Sequence, residues 1–307
     1  MTTSAPLDRL RARPRRRAPL RRTHELRWRL IRDEPKTGAE NMALDHALSA
    51  CLGSDEAVLR LYGWSRPTVS FGKNEPAERC DDAPRTDGSD STAPDYVRRP
   101  TGGRAVLHDA ELTYAVVCPL DAFGGLREAY VQINRALAGA LSAMGAAVHV
   151  AGEVDALGSG VDAAAEPGGH APTVDHPGAP SSPGPAVASG PLPLDAGPCF
   201  QSPTRGEIVA AGRKLVGSAQ ARLEGALLQH GSILLEEGSG QLGSECVTLT
   251  ELLGEASYEA VADQTGDVLR QSFGGRWSDG GYDAVEVETA KRLIEERYGS
   301  DTWTWRR

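Results

Sequence analysis

The sequence of 307 residues lacks any hydrophobic run long enough to cross a membrane, and no apolar segment follows its basic start. A membrane-spanning helix needs about 20 predominantly apolar residues, and a secretory signal needs an apolar region after its positive charges. We therefore predict a cytoplasmic protein without a membrane partner. The hydrophobic content of 40% is sufficient for a buried core, which indicates a globular protein.

Cysteine is scarce and occurs in no CxxC pair. Because the five cysteines are widely spaced and odd in number, the sequence indicates neither a disulfide framework nor a zinc site, and we predict no metal site. A cysteine with a chemical role must then act singly. The five tryptophans are scattered and do not form a stacking platform, so we predict no nucleic-acid partner. The cysteines are Cys51, Cys80, Cys118, Cys199 and Cys246.

Two segments have compositions that disfavour a packed core. Residues 9–22, RLRARPRRRAPLRR, concentrate positive charge without apolar periodicity, although the net charge of the chain is -9. We predict a disordered tail at residues 1–23, with attachment to nucleic acid or a membrane as the alternative. A second segment, rich in Ala, Gly, Ser and Pro, has few large side chains that could offset its ordering entropy. We predict that it is a disordered insertion at about residues 153–197.

The first half of the chain predicts helices and short strands. Thr37 and Glu40 form a capping-box pattern before apolar residues at helical spacing, and Leu126 to Gly145 repeat apolar residues every three or four positions. Short runs between Gly and Pro residues predict strands. These strands begin near Ala57, Thr68, Tyr96, Ala105, Leu112 and Ala147.

The second half predicts a three-stranded meander followed by two helices. The turns fall at Ala211-Gly212 and Glu224-Gly225, and Ser257 and Gly299 bound the two helices. The strands and helices are Glu207 to Ala210, Lys214 to Arg222, Ala226 to Glu236, Tyr258 to Phe273 and Val285 to Tyr298. We predict an α+β fold with a mixed, largely antiparallel sheet flanked by helices. Residues 24–307 would form a single domain, and two domains joined by a linker are the alternative.

Three stretches contain candidate functional residues. Gly102 and Gly103 follow two arginines, a pattern that suits a ligand-binding loop but is also typical of a plain hairpin turn. Cys199 precedes a predicted strand that carries Lys214, and a nearby lysine favours the nucleophilic thiolate. His230 could carry a proton or could be structural.

Together these stretches resemble the lipoate-protein ligase and octanoyltransferase family, which shares its catalytic domain with the biotin-protein ligases. Five motifs occur in order and cover most of the chain, which strongly disfavours chance similarity. The motifs are NMALDHAL at 41–48, LRLYGWSRPTVSFGKNE at 59–75, RRPTGGRAVLHDAELTYAV at 98–116, GRKLVGSAQARLEGALLQHGSILLE at 212–236 and YGSDTWTWRR at 298–307.

Within this family the pattern is most similar to the LipM-type octanoyltransferases. The resemblance implies that Cys199 takes an octanoyl group from acyl carrier protein and that Lys214 assists. It also implies that the group passes to the lysine of a lipoyl-domain protein, such as glycine cleavage H protein or the acyltransferase subunit of a 2-oxoacid dehydrogenase. No cofactor is then needed. The substrate-binding residues would be Arg99, Thr101, Gly102, Gly103, His108, Gly217, Ser218 and Ala219.

Three alternatives remain open. An ATP-dependent lipoate-protein ligase would need ATP and Mg, and Lys214 would contact an adenylate. Arg104 and Ala110-Glu111 stand where many ATP-using relatives have Gly and Gly-Asn, which disfavours that activity. An amidotransferase would move lipoyl or octanoyl groups between carrier proteins. A protein that binds acyl carrier or lipoyl domains without catalysis is the third alternative.

Overall fold

A computed structural model describes residues 23–76, 94–152, 206–238 and 246–306. The predicted insertion, nearly all of the predicted tail and Cys199 lie outside the described residues. The strands are β1 (Arg27–Arg32), β2 (Glu56–Tyr62), β3 (Thr68–Phe71), β4 (Asp95–Arg98), β5 (Val106–His108), β6 (Glu111–Pro119), β7 (His149–Val150), β8 (Ile208–Ala210), β9 (Arg213–Leu223), β10 (Ala226–Leu234) and β11 (Arg276–Asp279). The helices are α1 (Gly38–Cys51), α2 (Leu126–Ala143), α3 (Leu249–Leu253), α4 (Tyr258–Phe273), α5 (Ala284–Leu293) and α6 (Asp301–Thr304).

Two sheets form the framework. The large sheet has eight strands in the order β11-β1-β2-β6-β10-β9-β8-β7, and the small sheet has the order β4-β3-β5. Strand β1 is parallel to both neighbours, and β3 is parallel to β4. The other pairs are antiparallel. The predicted α+β class with a mixed, largely antiparallel sheet is therefore confirmed.

The large sheet separates two hydrophobic clusters, because neighbouring residues of a strand point to opposite faces. Leu59 and Val116 pack in the cluster that includes residues of α2 and α4. Val58 precedes Leu59 and Val117 follows Val116 in the sequence, and both valines pack in the other cluster, which includes residues of α1. In the part of the chain that the structure describes, no helix has the length and hydrophobicity that spanning a membrane requires.

The predicted helix starts and turns agree with the structure. Thr37 and Glu40 form both hydrogen bonds of a capping box, and the Ser257 side chain caps α4. The turn residues Ala211 and Glu224 have φ values of 49° and 48°, and the glycine after each also has a positive φ, as type I′ hairpin turns require. The last predicted helix is α5, which continues through a π-helical turn, Ile294–Tyr298, and ends at Gly299.

Candidate active site

The loop at residues 99–105 connects two strands that do not pair with each other. Strands β4 and β5 both pair with β3, so the loop crosses over β3 instead of making a tight hairpin turn. Gly103 has a φ of 95°, and a Cβ on Gly72 would lie 1.8 Å from the Gly103 carbonyl oxygen. The hairpin interpretation of Gly102-Gly103 is therefore wrong. The absence of side chains at Gly72 and Gly103 permits the close contact between the loop and the end of β3.

Two buried arginines hold this loop and its base. The Arg99 guanidinium donates hydrogen bonds to the carbonyl oxygens of Ser70, Gly102 and Arg104 at 2.7 to 2.8 Å. The Arg98 guanidinium donates to the carbonyls of Gly72, Glu75, Trp303, Thr304 and Arg306. Both side chains thus shape the backbone around the loop, a role that the sequence pattern does not reveal.

A cavity of about 270 Å³ lies between this loop, α1 and strands β9 and β10. Most of the residues predicted to bind substrate line it: Arg99, Gly102, Gly103, His108, Gly217, Ser218 and Ala219. The apolar side chains of Met42, Trp64 and Val106 also line the cavity, together with the polar residues Ser70, His230 and Ser232. The cavity can therefore hold a ligand that has both an apolar part and hydrogen-bonding groups.

The wall formed by β9 is shaped by a close approach of two strands. A Cβ on Gly231 would lie 2.3 Å from the Gly217 carbonyl oxygen, so only glycine fits at position 231 without a shift of β9. The Ser218 hydroxyl bonds the Tyr114 hydroxyl at 2.7 Å and donates to Asn134 Oδ1 at 3.1 Å. These contacts fix β9 against β6 and α2 where β9 meets the cavity.

His230 belongs to a buried chain of charged and polar groups. Its Nδ1 lies 2.9 Å from Asp45 Oδ2, and its Nε2 lies 2.7 Å from the Thr101 hydroxyl. Arg60 donates to the other Asp45 oxygen at 2.8 Å, and Tyr62 also donates to Asp45. Burial alone would raise the pKa of Asp45, but its hydrogen bond to His230 and the Arg60 charge hold that pKa below its ordinary value.

His108 forms a second pair with a carboxylate. Its Nδ1 lies 2.8 Å from Glu111 Oε1 and its Nε2 lies 2.7 Å from the Ser70 hydroxyl. The ring stacks on Trp64 with a centroid separation of 4.0 Å. Two imidazoles, each oriented by a carboxylate, therefore border one cavity, an arrangement suited to proton transfer.

Lys214 and Thr101 lie away from the cavity wall. The Lys214 ammonium donates to Glu207 Oε1 at 2.7 Å, and both side chains are buried. Neither Lys214 nor Thr101 is among the residues that line the cavity, although Thr101 contacts His230, which does line it. The structure does not describe Cys199, so its position relative to these residues stays a prediction.

Sequence reasoning did not identify Asp45, Ser70 and Glu111. Asp45 lies within a helix and Ser70 within a strand, where single polar residues are ordinary. The departure from the family pattern at Glu111 was the one available signal, since a carboxylate three residues after a histidine can pair with it.

The chain is similar to known proteins over most of its length. A family model described as the lipoyl protein ligase A/B catalytic domain matches residues 37–243. An octanoyltransferase LipM from Symbiobacterium thermophilum is 31% identical over 308 residues, which cover 92% of this chain and 100% of that relative.

Solved structures share the fold. Lipoate-protein ligase A bound with ATP gives a TM-score of 0.65 at 19% identity and covers 91% of this chain and 99% of that chain. A bi-partite lipoate protein ligase from Thermoplasma acidophilum, studied with its E2 lipoyl domain, gives a TM-score of 0.64 at 17% identity over 91% and 96% of the two chains. The predicted lipoate-protein-ligase-like fold is confirmed.

Proposed function

Because the chain belongs to the lipoyl protein ligase A/B catalytic-domain family, we propose that it is an octanoyltransferase of protein lipoylation that works through a cysteine thioester. The similarity to the octanoyltransferase LipM supports an acyltransferase. The observation that carries the proposal is the cavity between the loop at 99–105 and β9, where residues from distant motifs meet. Its apolar residues suit an acyl chain, and its polar residues suit a carbonyl and an amine.

The proposed reaction has two steps. The Cys199 thiolate attacks the thioester of octanoyl-acyl carrier protein, and the carrier thiol leaves. The amine of a lysine on a lipoyl-domain protein then attacks the acyl-cysteine, which forms an amide and releases Cys199. Exchange between thioesters is nearly balanced in free energy, and amide formation is favourable. The reaction therefore needs no ATP, and we propose that it uses no cofactor.

Lys214 is proposed to stabilise the thiolate or to polarise the thioester carbonyl. Its ion pair with Glu207 is buried, which keeps the ammonium fixed in one orientation. Among the described cysteines, Cys118 is a poor alternative nucleophile, because burial raises the pKa of its thiol well above the ordinary value.

The proposed partners follow from this chemistry. Acyl carrier protein would be the donor, and glycine cleavage H protein or the acyltransferase subunit of a 2-oxoacid dehydrogenase would be the acceptor. The study of the Thermoplasma ligase together with its E2 lipoyl domain supports an acceptor of this class.

Mass spectrometry of the intact protein tests the proposal. Incubation with octanoyl-acyl carrier protein should add the mass of one octanoyl group to the wild type and to a Cys51→Ala control, and nothing to Cys199→Ala. Cys51 is a suitable control because its half-buried thiol contacts Thr289 on α5. An unmodified wild type, or an adduct that persists in Cys199→Ala, would refute the proposal.

A second candidate function is ATP-dependent lipoate ligation, which the shared fold with lipoate-protein ligase A bound with ATP favours. In that reaction Lys214 would contact an adenylate, and Mg would accompany ATP. Release of pyrophosphate that depends on lipoate distinguishes the two. We expect none above background, whereas release that also persists in Cys199→Ala would establish the ligase.

A further inference from the structure

We infer that Ser70, His108 and Glu111 form a proton relay that deprotonates the acceptor lysine during the second step. The inference rests on the proposed function, because it assumes a lysine ammonium as the acyl acceptor. A lysine has an ordinary pKa of about 10.4 and is therefore charged at neutral pH. Only its uncharged amine can attack a thioester, so the site must supply a base.

Three separate chain segments bring the relay together at the cavity. Ser70 lies on β3, His108 ends β5 and Glu111 begins β6. The Ser70 hydroxyl is 2.7 Å from His108 Nε2, and His108 Nδ1 is 2.8 Å from Glu111 Oε1. Ser70 and His108 line the cavity. This order of hydroxyl, imidazole and carboxylate is the geometry of a nucleophile activated by a supported base.

The hydrogen-bond donors around Glu111 fix the direction of the relay. Glu111 Oε1 accepts hydrogen bonds from the hydroxyls of Thr113 and Ser232 at 2.6 and 2.7 Å and from the Trp64 indole at 3.0 Å. Burial alone would raise the pKa of Glu111, but contacts with His108 and these hydroxyls hold it below its ordinary value. An ionised carboxylate can only accept, so Nδ1 of His108 carries a proton.

This tautomer leaves Nε2 of neutral His108 as an acceptor for the Ser70 hydroxyl proton. Arg99 Nη1 donates to the same hydroxyl oxygen at 3.1 Å. A guanidinium at this distance stabilises negative charge on the oxygen, which helps it to take a proton from the cavity side. The position of each hydrogen thus follows from the partners of each heavy atom.

The other histidine is less well placed for this role. His230 Nε2 contacts the Thr101 hydroxyl, and Thr101, unlike Ser70, is not among the residues that line the cavity. Its carboxylate partner Asp45 is already paired with Arg60. The hydroxyl bonded to His230 therefore does not connect the imidazole to the cavity, as the Ser70 hydroxyl does for His108.

The proton balance of the step is closed. The lysine ammonium gives one proton to Ser70 Oγ while Ser70 gives its own proton to His108 Nε2, which forms an imidazolium beside Glu111. The amine lone pair then bonds to the acyl carbon, the carbon–sulfur bond breaks and its electron pair stays on Cys199. The remaining extra proton of the nitrogen moves to this sulfur, and the imidazolium returns its proton to solvent.

Single-turnover kinetics with two acceptors test the relay. The acyl-enzyme is formed first and followed by mass spectrometry, and it is then mixed with a lipoyl-domain acceptor or with hydroxylamine, a nucleophile that is uncharged at neutral pH. We expect Ser70→Ala to form the adduct as the wild type does and to transfer it to lysine slower by on the order of 10²-fold, the usual size of general-base catalysis. With hydroxylamine, the variant should match the wild type, which also shows that it is folded.

Two further variants complete the test. Glu111→Gln should, like Ser70→Ala, slow transfer to lysine and leave transfer to hydroxylamine unchanged. Ser49→Ala should behave as the wild type, since the buried Ser49 hydroxyl donates to the Asp45 carbonyl within α1. Unchanged transfer to lysine in Ser70→Ala, or an equal loss with both acceptors, would overturn the relay while leaving the proposed function intact. If the wild type forms no adduct, the proposed function fails and the relay fails with it.

Discussion

Removal of the Arg60 guanidinium should cost more stability than removal of any exposed charge. Arg60 is fully buried and binds two carboxylates, Asp45 at 2.8 Å and Asp33 at 2.9 Å. In Arg60→Met, Asp33 keeps its contact with Lys36 at 3.2 Å. Asp45 has no such substitute, because its remaining partners are the Tyr62 hydroxyl and His230.

We therefore expect Arg60→Met to lower the free energy of unfolding by about 3–5 kcal/mol, the usual cost of leaving one partner of a buried ion pair without its counter-charge. Urea-induced unfolding measures this value. Arg27→Met is the matched control, because the pair of Arg27 with Asp55 is half exposed. Because surface pairs of this kind contribute little to stability, Arg27→Met should unfold at nearly the same urea concentration as the wild type.

The pH dependence of the loss gives a second, independent check. In the wild type the pKa of Asp45 is below its ordinary value, so its ionised form stabilises the fold above the unfolded pKa, and this stability is lost as the pH falls. Without the Arg60 charge, the desolvation of Asp45 raises the pKa of its carboxyl, so protonation of Asp45 at lower pH relieves part of the cost. The loss should therefore be smaller at about pH 5 than at about pH 8. A loss below that of Arg27→Met, or one that grows as the pH falls, would refute this reasoning.

Three further substitutions have defined outcomes. Gly72→Ala should leave the circular dichroism spectrum native but abolish acyl transfer, because its Cβ would displace the Gly103 carbonyl and with it the loop; full activity would contradict the proposed tight contact. Lys214→Met should destabilise the protein by about 3–5 kcal/mol, because it removes the ammonium that pairs with the buried Glu207 carboxylate. The double variant with Glu207→Gln should regain stability in the same denaturant titration but not activity. Thr37→Ala should cost about 1 kcal/mol of stability by loss of the cap of α1, measured as a lower Tm.

Local signals in the sequence were sufficient for much of the fold. A capping box fixes the start of α1 from two residues, Thr37 and Glu40, and the type I′ turns at Ala211 and Glu224 depend on adjacent glycines. Strand β1 was missed because its charged residues obscure the alternation. Those charges are satisfied by distant partners, as in the contact of Arg29 with Glu286 on α5.

The site was only partly predictable, because some of its contacts join residues that are distant in the sequence. The glycine loop and the β9 wall are contiguous motifs, and the family resemblance identified them. The carboxylate that supports His230 comes from α1, 185 residues earlier in the chain. No periodicity or spacing encodes such a pair, since it exists only after the sheet and α1 have packed together.

The clamp made by Arg98 has a consequence for the handling of this protein. Trp303 donates its indole N–H to the Arg98 carbonyl at 2.9 Å while the Arg98 guanidinium holds the backbone of Thr304 and Arg306. The last turn of helix is therefore attached to the base of the loop that borders the cavity. A shortened protein that lacks this turn would lose the carbonyls of Trp303, Thr304 and Arg306 that the Arg98 guanidinium binds, and the base of the loop would lose its anchor.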